Sequence, residues 1–248
     1  MHIIRCLCIV CLLLAIYYCS KQRGITIHFT EKSKQQDTSV LQSRIHFIIQ
    51  EMTEHMKDIP DLPIVVYHCD PSLQSGHSNN PKLSNYEYFD DLSYYKQYIQ
   101  KHKTTEDKRH WNMTYGAGGT HSIPYTTICD ASLLCKLTNQ KPESVFVHEI
   151  AHTLWNTSIK QSYAKPFQRY YQEYKSQLKD KCPEVYACQS LEEFFAVLSE
   201  VWFGTTRRTD TTKLIETPTN IQERFPDLYS SLHKIYGPPK QLFHQVCN

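Results

Sequence analysis

Residues 144–156, SVFVHEIAHTLWN, contain His148 and His152 with three residues between them, and Glu149 directly follows the first histidine. Because four residues make just over one helical turn, the two imidazoles would project from the same face of a helix. Two imidazoles there can occupy two corners of a zinc tetrahedron. Glu149 would lie about 100° around the helix, where it can reach a water on the metal. The segment therefore predicts a metal site that needs a third protein ligand and an open position for water.

The other side chains of this segment predict that the helix is buried on much of its surface. Six of them are apolar: Val145, Val147, Ile150, Ala151, Leu154 and Trp155. Two histidines and a glutamate inside a buried helix are costly without polar partners. A pair of hydrogen-bonded core histidines is the alternative interpretation, and the context of the motif favours the metal site.

The segment YACQSLEEFFAVLSEVWFG, residues 186–204, offers three carboxylates as the third ligand: Glu192, Glu193 and Glu200. Its apolar positions follow a helical pattern, on which Glu192 and Glu193 lie about 100° apart and cannot both face one metal ion. Glu200 shares the face of Glu193 but lies about 10 Å further along the axis, which suits a residue that holds a ligand histidine. Ser190 and Glu193 also form a capping-box pattern, in which the glutamate would turn back to the backbone.

The pair HEIAH and, about forty residues later, YACQSLEEFFA resembles the catalytic domain of anthrax lethal factor and its relatives, including the secreted Pro-Pro endopeptidases. The resemblance covers roughly residues 105–237. It implies that His148, His152 and Glu193 bind one zinc ion per chain. It also implies that Glu149 is the general base and that Tyr186, seven residues before the ligand glutamate, stabilises the oxyanion.

The chain departs from related peptidases at three positions. Val197 stands one turn after Glu193, where lethal-factor-like members often carry a second glutamate. Trp155 and Ser158 stand where a metzincin would need glycine and histidine, which excludes that branch. The roles that the resemblance implies agree with the chemistry of these residue types. Zinc lowers the pKa of bound water to about 7, and a carboxylate such as that of Glu149 can accept the proton.

Three of the seven glycines lie in WNMTYGAGGTH, residues 111–121, which also resembles the Gly-rich stretch of the secreted relatives. This concentration of glycine indicates special backbone dihedrals or the close approach of another chain. One interpretation is a hairpin turn. The other is a cleft wall at Gly118 and Gly119, where the backbone pairs with a polypeptide substrate in extended conformation.

The first twenty residues combine Arg5 with an unbroken apolar run over residues 7–18. A run of twelve residues is too short for a bilayer, which needs about 20, so residues 1–20 are predicted to be a secretory signal peptide. A retained membrane anchor and a lipid on Cys19 are the alternatives. The remaining residues 21–248 suffice for one domain with a sizeable core, predicted to be a single extracellular metallopeptidase domain.

Six cysteines follow residue 20: Cys69, Cys129, Cys135, Cys182, Cys188 and Cys247. An even number in a secreted chain favours disulfides. Cys129 with Cys135 and Cys182 with Cys188 would close short loops, which would leave Cys69 with Cys247. A zinc knuckle is the alternative, but these six include no Cys-x-x-Cys spacing.

The overall charge does not indicate a polyanionic partner. The chain has 27 basic and 25 acidic side chains and no basic run, so we expect no nucleic acid and no stable membrane association. Sequons at Asn112 and Asn156 fit a secreted glycoprotein. We expect a monomer.

The hydrophobic pattern places strands before helices. Strands are predicted at 24–30, 63–69 and 122–129, where Pro124 argues for an edge position. Helices are predicted at 39–56, 143–157, 165–180, 190–203 and 218–236. This order predicts an α+β fold of the zincin type, with a small mixed sheet and a mostly helical C-terminal half around a cleft.

These features together predict a secreted zinc-dependent endopeptidase. A catalytically inactive, toxin-like binding module on the same scaffold is one alternative, and a thermolysin-like peptidase with the same ligands is another. The presence of both Glu149 and Tyr186 argues against the inactive module, because binding alone has no chemical need for them.

We expect mass spectrometry of the secreted protein to find its first residue near position 20 or 21, because the signal peptide is removed. All six remaining cysteines should be oxidised. Free thiols at Cys182 and Cys188 in native material would contradict the disulfide prediction, and a retained apolar segment would favour the membrane anchor.

Overall fold

One mixed sheet of four strands lies in the part of the chain that the computed structural model describes, namely residues 24–30, 33–57, 59–68, 116–119, 126–134, 142–206 and 213–242. The strands are β1 (Ile25–Phe29), β2 (Leu62–Tyr67), β3 (Gly116–Ala117) and β4 (Thr126–Cys129). Their order across the sheet is β1-β2-β4-β3. β2 lies parallel to both β1 and β4, whereas β3 is antiparallel to β4.

The position of each strand in the sheet agrees with its composition. β2 reads LPIVVY and has five buried residues out of six, which is typical of a central strand covered on both faces. β1 alternates half-buried and exposed side chains, as a strand with one covered face does. β4 is fully buried between β2 and β3. The edge position predicted for it is therefore wrong, because the strand begins at Thr126, after Pro124.

Helices dominate the chain after β4. The helices are α1 (Thr38–Thr53), which precedes β2, α2 (Asp130–Leu133), α3 (Pro142–Leu154), α4 (Lys160–Leu178), α5 (Leu191–Trp202), α6 (Pro218–Arg224) and α7 (Pro226–Tyr236). Short 3₁₀ turns cover Ser33–Gln35, Lys179–Glu184 and Tyr186–Cys188. The prediction of an α+β architecture with a small mixed sheet and a mostly helical C-terminal half is confirmed.

A turn of π-helix, Trp155–Ile159, joins α3 to α4 without a break. The sequence pattern predicted two separate helices here, the first ending near residue 157 and the second starting near 165. Residues 154–160 contain neither glycine nor proline, and the Thr157 hydroxyl donates to the Thr153 carbonyl at 2.7 Å. Pro166, the first proline, lies inside α4. Helical backbone therefore continues from residue 142 to residue 178.

Aromatic packing sets the position of α5 against α3 and α4. The ring centroid of Phe195 lies 4.8 Å from that of Trp155 and 5.2 Å from that of Phe167. All three side chains are fully buried. Each aromatic side chain buries about 150–250 Å² and dominates the packing around it, so this cluster determines which polar residues of α5 face α3.

No helix within the described ranges combines the length and apolar composition that crossing a bilayer requires. The predicted signal peptide, residues 1–20, lies outside these ranges, as do Cys69, Cys135, Cys247 and Asn112. The signal peptide, the extent of the domain and the roles of these four residues stay predictions.

Candidate metal centre

Helix α3 has one apolar side in the core and one polar side towards α5. Its fully buried apolar residues are Phe146, Val147, Ile150, Ala151 and Leu154. His148 and His152 lie on the same side, with ring centroids 4.8 Å apart. The one-turn spacing of the histidines therefore places both imidazoles towards the first turn of α5.

Helix α5 begins where a serine caps it. The Ser190 hydroxyl accepts a hydrogen bond from the Glu193 backbone N–H at 3.0 Å, which places Glu193 in the first turn. The other half of the capping box does not form as the sequence pattern suggested. The Glu193 carboxylate instead lies 3.0 Å from His148 Nε2. The capping and metal-site interpretations are thus compatible, because Ser190 binds the backbone N–H of Glu193 whereas His148 contacts its carboxylate.

Three potential metal-ligand atoms converge between the two helices: His148 Nε2, His152 Nε2 and Glu193 Oε2. Glu193 Oε2 lies 3.4 Å from His152 Nε2, and the two imidazole nitrogens are 3.1 Å apart. A tetrahedron with bonds of about 2.0–2.1 Å to its centre has edges of about 3.3–3.4 Å. These atoms therefore have the chemistry and approximately the mutual spacing of three ligands to one zinc ion.

Glu200 lies behind the first histidine, on the side away from the cluster. Its Oε1 is 2.6 Å from His148 Nδ1, and its side chain is only 2% exposed. A carboxylate on Nδ1 orients the imidazole ring and directs Nε2 towards the cluster, as partners of metal-binding histidines commonly do. Glu200 follows Glu193 by seven positions, about two helical turns, so one face of α5 contacts both nitrogens of His148.

The electrostatics of the cluster favour positive charge at its centre. Burial alone would lower the pKa of His148, but hydrogen bonds to Glu193 and Glu200 outweigh it and raise the pKa to about 10. Burial alone would raise the pKa of Glu193, but the two imidazoles hold it well below its usual range. The same carboxylates would stabilise a divalent cation.

Glu149, on α3, faces the described part of the Gly-rich stretch, residues 116–119, which we call the glycine segment. Burial raises the pKa of its carboxyl above the ordinary value, against the opposing attraction of His148 and His152. The carboxylate accepts a hydrogen bond from the Gly118 backbone N–H. A Cβ at Gly116 would lie 2.8 Å from Glu149 Cγ, which shows how closely the segment approaches.

The glycine segment packs directly on α3. A Cβ at Gly118 would lie 2.4 Å from the His152 Cβ, closer than real side chains allow. The Gly119 N–H donates to Thr153 Oγ1 at 2.7 Å, and the Gly119 carbonyl accepts from Asn156 Nδ2 at 3.1 Å. The N–H groups of Gly118 and Gly119 thus already donate within the protein, and the pairing of this segment with a substrate stays a prediction. Close approach to α3 explains the glycines at positions 116 and 118.

A disulfide-closed turn carries Tyr186. Cys182 and Cys188 are bonded, with Cα atoms 5.6 Å apart, and the turn is also tied to α4 by the Tyr171 hydroxyl, which donates to the Cys188 carbonyl at 2.6 Å. The half-buried Tyr186 ring lies 5.8 Å from the His148 ring between centroids. Cys129 is also disulfide-bonded.

Two other sequence predictions concern surface residues. Glu192 pairs with Lys160 at 3.2 Å and does not join the cluster. Asn156 is half-buried in the π-helical turn, and its amide nitrogen donates to Gly119. The Asn156 side-chain nitrogen, to which a glycan would be attached, thus donates a hydrogen bond within the fold, and glycosylation at Asn156 stays a prediction.

A separate groove lies away from this cluster. It has a volume of about 1150 Å³ and runs along α4 and α7, where Lys57, Lys165 and Lys234 line its walls. It shares no residue with the cluster of histidines and glutamates. The size of a cavity therefore does not locate the chemistry in this molecule, whereas the convergence of ligand atoms does.

Sequence reasoning missed the buried hydroxyl groups beside the cluster. Thr126 and Thr153 are fully or almost fully buried, and their hydroxyl oxygens are 2.6 Å apart. The available signal was Thr153 itself, a polar residue next to the apolar Leu154 in a helix that was predicted to be buried.

Comparison with known proteins gives one match. The model of the family of glucose-regulated metallo-peptidases, M90, matches residues 26–237, from β1 to the end of α7. No curated protein and no solved structure matches the chain. The match supports a metallopeptidase, and it does not extend to the lethal-factor-like or Pro-Pro endopeptidase-like families in particular. The chain belongs to the family of glucose-regulated metallo-peptidases M90.

Proposed function

We propose that this chain is a zinc-dependent endopeptidase that hydrolyses a polypeptide bound in extended conformation. The observation that carries the proposal is the triangle of His148, His152 and Glu193, with sides of 3.0–3.4 Å, beside the half-buried Glu149. A zinc ion bound by such ligands supplies a Lewis acid and a water with a pKa of about 7. Internal cleavage of the substrate is proposed on the resemblance to lethal-factor-like enzymes.

Glu149 is the proposed general base. It lies next to the ligand histidines in the chain, and its carboxylate is held by the Gly118 N–H. A raised pKa brings the carboxyl closer to the neutral range, where proton acceptance and donation are both efficient. Glu149 can therefore take a proton from the attacking water and deliver it to the leaving amine.

Tyr186 is the proposed oxyanion stabiliser. Its ring lies beside that of His148, in a turn held by the Cys182–Cys188 disulfide. A phenol can donate a hydrogen bond to the negative charge that develops on the scissile carbonyl, and such a donor acts only if it is held in place. The disulfide restricts the turn and supports this role.

Export from the cytoplasm is part of the proposal. Cys129, Cys182 and Cys188 are all in disulfides, and such bonds persist mainly in oxidising compartments. The apolar residues 7–18 fit the signal peptide that export requires. We propose a secreted enzyme on these two grounds.

The ligand assignment makes a graded prediction for zinc content. Glu193→Ala should abolish tight zinc binding because it removes one of three ligands, whereas Glu192→Ala should leave it intact because that residue pairs with Lys160. Glu200→Ala should lower zinc affinity about 10–100-fold through the loss of the His148 partner. Plasma emission on the purified variants after dialysis measures this series. Full zinc in Glu193→Ala would remove Glu193 from the ligand set.

Glu149→Gln should retain fold and zinc but lose peptidase activity by about 10²–10⁴-fold, because only proton transfer is removed. Digestion of a peptide library by the wild type and the variant, at equal zinc content, measures the difference. Activity equal to that of the wild type would refute the assignment of the base.

Tyr186→Phe should lower kcat by about 10²–10³-fold with little change in KM, because the hydroxyl acts on charge that develops in the transition state. Steady-state kinetics on one cleaved library peptide separates the two constants. A change confined to KM would assign Tyr186 to substrate binding instead.

A further inference from the structure

A network of buried hydrogen bonds joins the glycine segment, β4 and α3 at one side chain, Thr153. The hydroxyl oxygen of Thr153 lies 2.7 Å from the Gly119 nitrogen, 2.6 Å from the Thr126 hydroxyl and 3.2 Å from the Glu149 carbonyl. Thr153 and Thr126 are both 0% exposed. The three contacts therefore form in the protein interior, where unpaired polar groups are unfavourable.

Only one assignment of donors satisfies all three contacts. A threonine hydroxyl has one hydrogen to donate and two lone pairs to accept. The Gly119 N–H can only donate and the Glu149 carbonyl can only accept, so Thr153 donates to Glu149 and accepts from Gly119. Thr126 then donates to the remaining lone pair of Thr153. The hydroxyl is fully used, and no other side chain in the described network links the three elements.

The network lies next to the carboxylate that carries the proposed chemistry. Gly119 directly follows Gly118, whose N–H donates to the Glu149 carboxylate. Asn156 follows Thr153 by three residues on the continuous helical backbone of residues 142–178, and its side-chain N–H donates to the Gly119 carbonyl at 3.1 Å. Both polar groups of the Gly119 backbone are thus held by α3 and the π-helical turn. These two bonds hold the chain on one side of Gly118, and the pairing of Gly116 and Ala117 with β4 holds it on the other.

We propose that Thr153 is a positioning residue for Glu149: it holds the glycine segment against α3, so that the Gly118 N–H orients the Glu149 carboxylate. This role rests on the proposed function of the site. Thr153 itself contacts neither the ligand atoms nor the substrate. It acts through the backbone of Gly118 and Gly119.

Glycine is required for this arrangement. A Cβ at Gly118 would lie 2.8 Å from the Glu149 carbonyl oxygen, so a larger residue would separate the segment from α3. Gly118 therefore lies close enough to α3 for its backbone N–H to reach the Glu149 carboxylate. Removal of the Thr153 hydroxyl leaves the Gly119 N–H without its acceptor and releases the segment from one side.

The test compares Thr153→Val, which has nearly the same shape but no hydroxyl, with Thr153→Ser, which keeps the hydroxyl. Thr153→Val should lower kcat about 10–100-fold, since a small misplacement of a catalytic group has effects of this size. KM and zinc per chain should be unchanged. Hydrogen exchange at the Gly119 amide should become faster. Thr153→Ser should restore both kcat and slow exchange.

Thr157→Val is the matched control. All proteins are made in a host that does not glycosylate, because these positions lie in or near the sequon at Asn156. Thr157 also lies on this continuous helical backbone and donates to a backbone carbonyl, that of Thr153, but it does not contact the glycine segment. Its kcat and its Gly119 exchange should equal those of the wild type. If Thr153→Val only lowers Tm and retains kcat per zinc-loaded chain, Thr153 is structural and the proposal is overturned.

A second variant decides the matter if Thr153→Val does not fold. Asn156 is half-buried, and Asn156→Ala removes the other bond that α3 and the π-helical turn make to Gly119. A lower kcat with faster exchange of the Gly119 amide would support the positioning of Glu149 through the glycine segment. Unchanged kcat and exchange would overturn it. If the wild type cleaves no peptide, the proposed function fails separately. Unchanged exchange of the Gly119 amide in the variants would still show that Thr153 does not hold the glycine segment, and would overturn this proposal.

Discussion

Two imidazole nitrogens and a carboxylate oxygen lie within 3.4 Å of one another between two helices, and this arrangement requires a positive charge. Without a cation, the lone pairs of these atoms would oppose one another in a largely dehydrated site. Glu193 and Glu200, which contact its two ring nitrogens, raise the pKa of His148 to about 10. The requirement for positive charge connects the histidines of α3 to the carboxylates of α5.

The rest of the fold brings these atoms together. Aromatic packing of Phe195 against Trp155 sets the position of α5 relative to α3, and the Ser190 cap sets where α5 begins. These two constraints place Glu193 and Glu200 on either side of the same imidazole, that of His148. The core and the helix cap therefore determine the geometry of polar groups that would not converge on their own.

The glycine segment links the sheet to the site. Thr126, at the start of β4, shares a hydrogen bond with Thr153 of α3, and the Gly119 backbone joins the same network. Glu149 is thereby held between a rigid helix and a segment that is itself tied to the sheet. The oxidised Cys182–Cys188 turn places Tyr186 on another side of the cluster. Each proposed catalytic group is thus held by a different constraint.

The sequence by itself determined the local features: the one-turn spacing of His148 and His152, the helical face shared by Glu193 and Glu200, and the predominance of helices after the last strand. These depend on contacts between near neighbours, so periodicity and spacing predict them. Only the tertiary structure decided that Glu193 turns to the imidazoles, that β4 is a central strand and that Gly118 packs on α3. Those outcomes depend on side chains and strands distant in the chain, and local pattern contains no information about which distant surfaces meet.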